Sequence, residues 1–147
     1  MNPDQALIRA FQSQRIPLPI RTSALAEKLG AELLDVDDKS GVARLGFRPD
    51  SFFCQAVNVV QGGAIAAMLD FALAFAVLAH MPDGYSAASA SLTVCFIRPV
   101  RPERLVATGA VDRVGKNCAF ARATLALEDD TLLATATSPL SVIAPKA

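Results

Sequence analysis

Cysteine is scarce in this chain, histidine is nearly absent, and neither sign of charge is in excess. The three cysteines, Cys54, Cys95 and Cys118, are odd in number and widely spaced. They form neither a CxxC pair nor a disulfide framework, and read as free buried thiols in a reducing cytoplasm. His80 is the single histidine. No second His, Cys or acid sits at ligand spacing beside it, so no metal site is expected. Lys and Arg number 14, as do Asp and Glu. A net charge of zero offers no chain-wide attraction for nucleic acid or anionic lipid, so any anion site must be local. The opening MNPDQALIRAFQ carries Asp4 and lacks an apolar core, so no signal peptide is expected.

What is present is enough for one domain spanning 1–147. The chain has 147 residues, 52% of them apolar and 19% charged, which excludes disorder and low complexity. Residues 1–29 read as an N-terminal helical segment. An amphipathic helix over 3–14 carries Leu7, Ile8 and Phe11 on one side, and Pro17 and Pro19 stop it. Thr22 or Ser23 then caps a brief helical turn ending at Gly30. Residues 31–37 and 42–48 form a strand pair around the turn 37–41. Residues 49–61 read as a loop.

The segment 62–80, GGAIAAMLDFALAFAVLAH, is rich in good helix formers and apolar all round. It is long enough to cross a membrane, but Asp70 at its centre would cost about 2.5–3.5 kcal/mol in a bilayer. A buried central helix is the expectation, with His80 at its C-terminus and Met68, Phe71 and Phe75 in the core. Four strands follow, over 86–97, 104–114, 118–128 and 131–144. Leu92, Val94 and Phe96 share one face of the first, and Ala119, Ala121, Ala123 and Leu125 one face of the third. Short turns between them mean antiparallel pairing. One helix against one sheet is an α+β layout.

Two features of the helix bear on chemistry. Asp70, the only acid in nineteen residues, has two readings: an acid that faces solvent or satisfies a neighbour, or, as its apolar flanks favour, a desolvated carboxylate suited to act as a base or a nucleophile. Gly62 and Gly63 expose bare backbone at a helix N-terminus, whose partnerless N–H groups can polarise a carbonyl or hold an oxyanion. The eight residues between Gly62 and Asp70 span about 12 Å along the axis. One helix therefore cannot bring both to one reacting atom. Two antiparallel helices across a C2 axis can, and make two identical sites.

Three motifs in order resemble the hotdog-fold acyl-CoA thioesterases, in their PaaI-like, HGG-motif branch. They are Gln55-x5-Gln61-Gly62-Gly63-x6-Asp70, the run from Ser89 through Arg98 to Val100, and Arg113-Val-Gly-Lys116-x-Cys-Ala-Phe120. The resemblance covers about residues 30–144. It implies a curved antiparallel sheet wrapped round one long helix, working as homodimers or dimers of dimers. It also implies a catalytic carboxylate at Asp70 and a carbonyl-polarising N–H at Gly62. Gln55 falls near the substrate or nucleophilic water, and Ser89 falls where a small hydroxyl helps place water. The family's usual His before the two glycines is Gln61 here, a neutral donor that cannot carry a charge.

The function implied is hydrolysis of an acyl- or aryl-CoA thioester, with Asp70 as base or nucleophile. The alternative is a non-catalytic acyl-CoA-binding or regulatory module, motivated by Gln61. No cofactor is implied, CoA being part of the substrate. A hydratase of the same fold is disfavoured by the lack of a His between Asp70 and His80, and a DNA-binding regulator by the lack of a basic helix pair. Arg98, Arg101 and Arg104, with Arg113 and Lys116 a strand further on, form the candidate phosphate-binding cluster. The competing expectation pairs them with Glu103 and Asp112. Gln61 and Gly63 join the substrate-binding candidates.

Overall fold

The computed structural model describes residues 1–147. Helix α1 (Pro3–Gln14) begins at Asn2, whose side chain accepts from the Asp4 N–H. It buries Gln5, Ile8 and Phe11, one per turn. Gln5 ties the helix to the chain after the central helix: its Nε2 donates to the Pro82 carbonyl at 2.9 Å and its Oε1 accepts from the Gly84 N–H at 3.0 Å. The proline-flanked stretch that ends α1 is also a short strand, β1 (Leu18–Pro19). Ser23 caps α2 (Ala24–Lys28) by accepting from the Ala26 N–H.

The strands are β2 (Glu32–Asp37), β3 (Val42–Phe47), β4 (Ser86–Ser89), β5 (Thr93–Phe96), β6 (Leu105–Val114), β7 (Cys118–Ala126) and β8 (Leu132–Ile143). They form one antiparallel sheet in the order β1-β2-β3-β6-β7-β8-β4, with β5 also paired to β8. Period-two burial is clearest in β7: Ala119, Ala121, Ala123 and Leu125 are buried, and Phe120, Arg122 and Thr124 face water. Short apolar residues on that inner face leave room for a helix.

That helix is α3 (Gly62–Ala79), with mean hydropathy 2.0 and 56% of it buried in the fold. It lies across β3, β6 and β7. Gly109 of β6 permits the close approach, since a Cβ there would collide with the Ala72 carbonyl oxygen. Met68, Leu69, Ala72, Leu73, Phe75 and Ala76 are sealed against the sheet. The burial is not all round, although the uniformly apolar sequence predicts a helix buried on every side. Gly63, Ala66, Ala67, Asp70, Phe71 and Ala74, spaced three or four apart, form a stripe that the sheet leaves uncovered. Phe71 is therefore only half-buried, tilted against Phe47 with ring centroids 6.4 Å apart. His80 ends the helix and is exposed.

The strand expected over 86–97 is broken. Ser89 pairs with Leu140 while Thr93 pairs with Thr137, so β4 and β5 hold one residue more than β8 opposite. Pro139 stands opposite the break, and a proline has no N–H for the ladder. The Ser138 hydroxyl donates to the Ser91 carbonyl at 2.6 Å, giving that group a partner. Past the bulge Phe96 is 54% exposed. The cysteines are free, but none is buried: Cys95 is exposed on β5, and Cys54 and Cys118 are half-buried.

Candidate active site

Asp70 projects from the uncovered stripe of α3. Ser89, the last residue of β4 before the bulge, donates its hydroxyl to Asp70 Oδ1. The carboxylate is half-buried, in reach of a polar partner and of water, and not sealed among apolar groups as its sequence neighbours imply. The reason lies in which face of α3 the sheet covers, which a uniformly apolar run does not reveal. A bulge beside such a pair re-aims the edge strand and ends its pairing locally.

The second group of residues gathers at the helix N-terminus. Gln61 is the N-cap residue, and no side chain caps the first turn. The N–H groups at the start of α3 are thus left without side-chain partners. Before them, residues 54–60 fold into a tight loop, closed by a bridge between Cys54 and Val60 and by the Gln55 N–H donating to Val59 at 2.9 Å. Asn58 takes a left-handed φ of 57° in that loop. A cleft of about 330 Å³ opens beside it, with Gln55, Gly62, Ile65, Phe96 and Arg98 among its walls. Phe96 sits over Gly62, where an added Cβ would lie 3.2 Å from the ring. That position favours glycine for steric reasons as well as for backbone access. A second cleft, of about 370 Å³, lies on the other side of the N-terminus, against Gln61 and Gly63.

The candidates therefore fall into two sets. Gln55, Gly62 and Arg98 line one cleft, and Asp70 and Ser89 form a pair about 12 Å further along the helix. One chain does not bring the sets together. The basic cluster is likewise split. Arg98 and Arg101 lie near the start of β6, whereas Arg113 and Lys116 lie at its far end, about 27 Å away at a strand rise of ~3.4 Å per residue. The strand that the sequence places between them, β6, sets the two halves of the cluster at opposite ends.

Several arginines already have partners. Arg98 donates to the Leu132 carbonyl at 2.5 Å. Arg101 donates to the carbonyls of Val57 and Asn58 at 3.4 Å, bracing the loop that carries Gln55. Arg104 pairs with Glu32 at 2.6 Å and Glu128 at 3.5 Å, not with Glu103. Asp112 pairs with Arg122, which leaves Arg113 and Lys116 without an ion pair. No group of three His, Cys, Asp or Glu side chains is arranged to hold a metal. The sequence reading did not pick out the clefts' aromatic walls. Phe96 reads only as sharing a strand face with Leu92 and Val94, and Phe52 and Phe53 lie in the single 3-10 turn Ser51–Phe53, with no periodicity to mark them.

The family model of the thioesterase superfamily matches residues 57–134, and the chain belongs to that superfamily. Its layout is the hotdog fold. Among solved structures, a phenylacetic acid degradation-related protein of Ralstonia eutropha JMP134 is 29% identical, with a TM-score of 0.80 covering 91% of this chain and 97% of that one. The PaaI protein from the phenylacetic acid degradation operon of E. coli is 19% identical, with a TM-score of 0.77 covering 99% and 97%. A thioesterase family protein of Silicibacter pomeroyi is 22% identical, with a TM-score of 0.77 covering 95% and 97%. The last two likenesses concern the fold alone. No curated protein matches the sequence.

Proposed function

We propose that the protein hydrolyses acyl-CoA thioesters at sites shared between two copies of the chain. The observation that carries this reading is the Asp70–Ser89 pair on the uncovered stripe of α3, in a thioesterase-superfamily chain. The small residues Gly63, Ala66, Ala67 and Ala74 on that stripe would let a second α3 approach antiparallel. Gly62 of one copy then lies beside Asp70 of the other, and Arg98 comes to the same end as the second copy's Arg113 and Lys116. The thioester oxygen accepts from the Gly62 N–H, and Gln55 orients the carbonyl or water. Asp70, held by Ser89, draws a proton from water or attacks the carbonyl carbon itself. Either route consumes one water, breaks the C–S bond and returns a proton to the CoA thiolate. The basic residues hold CoA phosphates, and a homodimer or dimer of dimers in the cytoplasm belongs to the same reading.

The test is thiol release from a panel of acyl- and aryl-CoA thioesters. Asp70→Asn keeps shape and polarity but removes the base, so kcat should fall at least about 100-fold. Ser89→Ala and Gln55→Ala should cost less. Equal rates for wild type and Asp70→Asn would remove Asp70 from the chemistry. Binding without turnover by the wild type would favour a non-catalytic module, in which Gln61 replaces a functional cation.

A further inference from the structure

The tip of the loop over residues 54–60 hangs from one side chain. Inside the loop the hydrogen bonds run backbone to backbone. The Gln55 N–H donates to the Val59 carbonyl at 2.9 Å, and the Gln55 carbonyl accepts from the Asn58 N–H at 3.1 Å. The backbone of Gln55 is therefore clamped to residues 58 and 59, and moves when they move. Packing does not hold that turn, for Val57 is 68% exposed and Asn58 is exposed with its left-handed φ. Arg101 holds it: its Nη1 donates to the carbonyls of both Val57 and Asn58, at 3.4 Å each.

The brace stands on a firm base. Val100 is fully buried, and its carbonyl accepts from the Val60 N–H at 2.8 Å. Pro99 and Pro102 flank the pair and have fixed φ, and the residue before a proline, here Arg101, is confined to extended backbone. One guanidinium thus joins the loop's tip to the same short segment that anchors its end. Arg101 enters none of the chain's ion pairs, so no carboxylate competes with the two carbonyls. We infer that Arg101 is a positioning residue for Gln55, holding the loop in the shape that presents Gln55 to the cleft beside Gly62. This takes Arg101 out of the phosphate-binding set and leaves that task to its neighbours in the basic cluster. The inference rests on the reading above in which Gln55 orients the carbonyl or water. Arg101 touches neither, and acts through Gln55.

The experiment compares wild type, Arg101→Ala, Arg101→Lys, Gln55→Ala and the double variant Arg101→Ala with Gln55→Ala. Thiol release is measured from the most active acyl-CoA of the panel above and from the same acyl group on N-acetylcysteamine, a thioester without phosphates. Amide hydrogen exchange reads the loop separately. Arg101→Ala should lower kcat about five- to tenfold on both thioesters, with KM for the acyl-CoA unchanged. The double variant should be no slower than Gln55→Ala alone, because the two residues act as one unit. Arg101→Lys keeps the charge without the planar fork and should recover part of the rate. In Arg101→Ala the Gln55 and Asn58 amides should exchange at least about fivefold faster while the amides of β6 and β7 keep their protection, which separates a loosened loop from a loosened fold. A KM raised for the acyl-CoA and not for the truncated thioester would make Arg101 a phosphate ligand and overturn the assignment. Additive losses in the double variant, or unchanged exchange in the loop, would overturn it equally. If wild type releases no thiol from any thioester of the panel, the hydrolase reading fails instead, and the exchange rates still decide whether Arg101 holds the loop.

Discussion

The covered and uncovered faces of α3 differ in what their residues are selected to do. Met68, Leu69, Leu73 and Phe75 on the covered face are buried to within 1% of completely. Each such side chain contributes roughly 1.5–3 kcal/mol through lost apolar surface. On the uncovered face stand glycine, alanines, a half-buried Phe71 and one acid. Small side chains there bury little within the chain and leave the helix open to approach. One helix thus carries the core on one side and the candidate chemistry on the other. Stability and activity should separate by face.

The largest effect is expected on the covered face. Gly109→Ala puts a Cβ into the Ala72 carbonyl oxygen. Backbone, not a flexible side-chain end, must give way, so the cost should be at least about 3 kcal/mol. In a chain of this size that lowers Tm on the order of 10 °C in a thermal melt. A Tm within a degree or two of wild type would show that the helix is not seated as tightly as described.

On the uncovered face the sharper question is which copy supplies which group. Gly62→Val drives a side chain into Phe96 and should disable one half-site, while Asp70→Asn disables the other. Each variant alone should be nearly inactive. Chains mixed through an unfolding and refolding step should recover about a quarter of wild-type thiol release. Half the dimers are then mixed, and each mixed dimer has one intact site of two. No recovery would confine the site to one chain.

A smaller effect is expected where the phosphates are held. Arg113→Ala with Lys116→Ala should raise KM for acyl-CoA roughly three- to tenfold with kcat nearly constant, because a remote group is bound and the reacting centre is untouched. These two are the informative pair, since neither has a partner inside the chain. Arg98 and Arg101 each hold a backbone carbonyl, and their loss would mix binding with local structure. An unchanged KM would move the CoA phosphates elsewhere.

Local signals in the sequence were read correctly and non-local ones were not. The span 62–80 differs from Gly62–Ala79 by one residue, because a glycine pair followed by an unbroken run of helix formers is a local signal. Strands β6, β7 and β8 follow from alternation in the same way. The break at residues 90–92 does not, because its cause is Pro139, some fifty residues on and one strand over. The splitting of the arginines needs the length of β6, and the exposure of Asp70 needs the position of the sheet. Gly109 reads as one weak spot in a strand until α3 is laid across it. Asp70 and Gly62 were singled out because an acid and a bare helix start are unusual in an apolar run. The walls of the clefts come from three separate segments and share no pattern.

The smallest expected effect concerns carboxylates on neither face. Asp37 accepts from the Ser40 hydroxyl and the Lys39 N–H in the β2–β3 turn. Asp129 sits in the β7–β8 turn and accepts from the Thr131 N–H. Hydrogen bonds from the Ser40 side chain and then the Lys39 backbone hold the Asp37 carboxyl below its usual value of 3.8, and bonds from Thr131 do the same for Asp129. A depressed folded-state value means that each carboxylate stabilises the fold above the unfolded pKa. The contribution is then lost as pH falls through the lower, folded value. The loss should fall below about pH 4, and salt should weaken it little because the partners are short-range hydrogen bonds. Urea midpoints taken at about pH 5 and pH 3 should therefore converge slightly in Asp37→Asn with Asp129→Asn relative to wild type. Thiol release at neutral pH should not change, since both residues lie in turns away from α3. If the double variant loses as much stability as wild type between the two pH values, acid sensitivity belongs to carboxylates paired elsewhere.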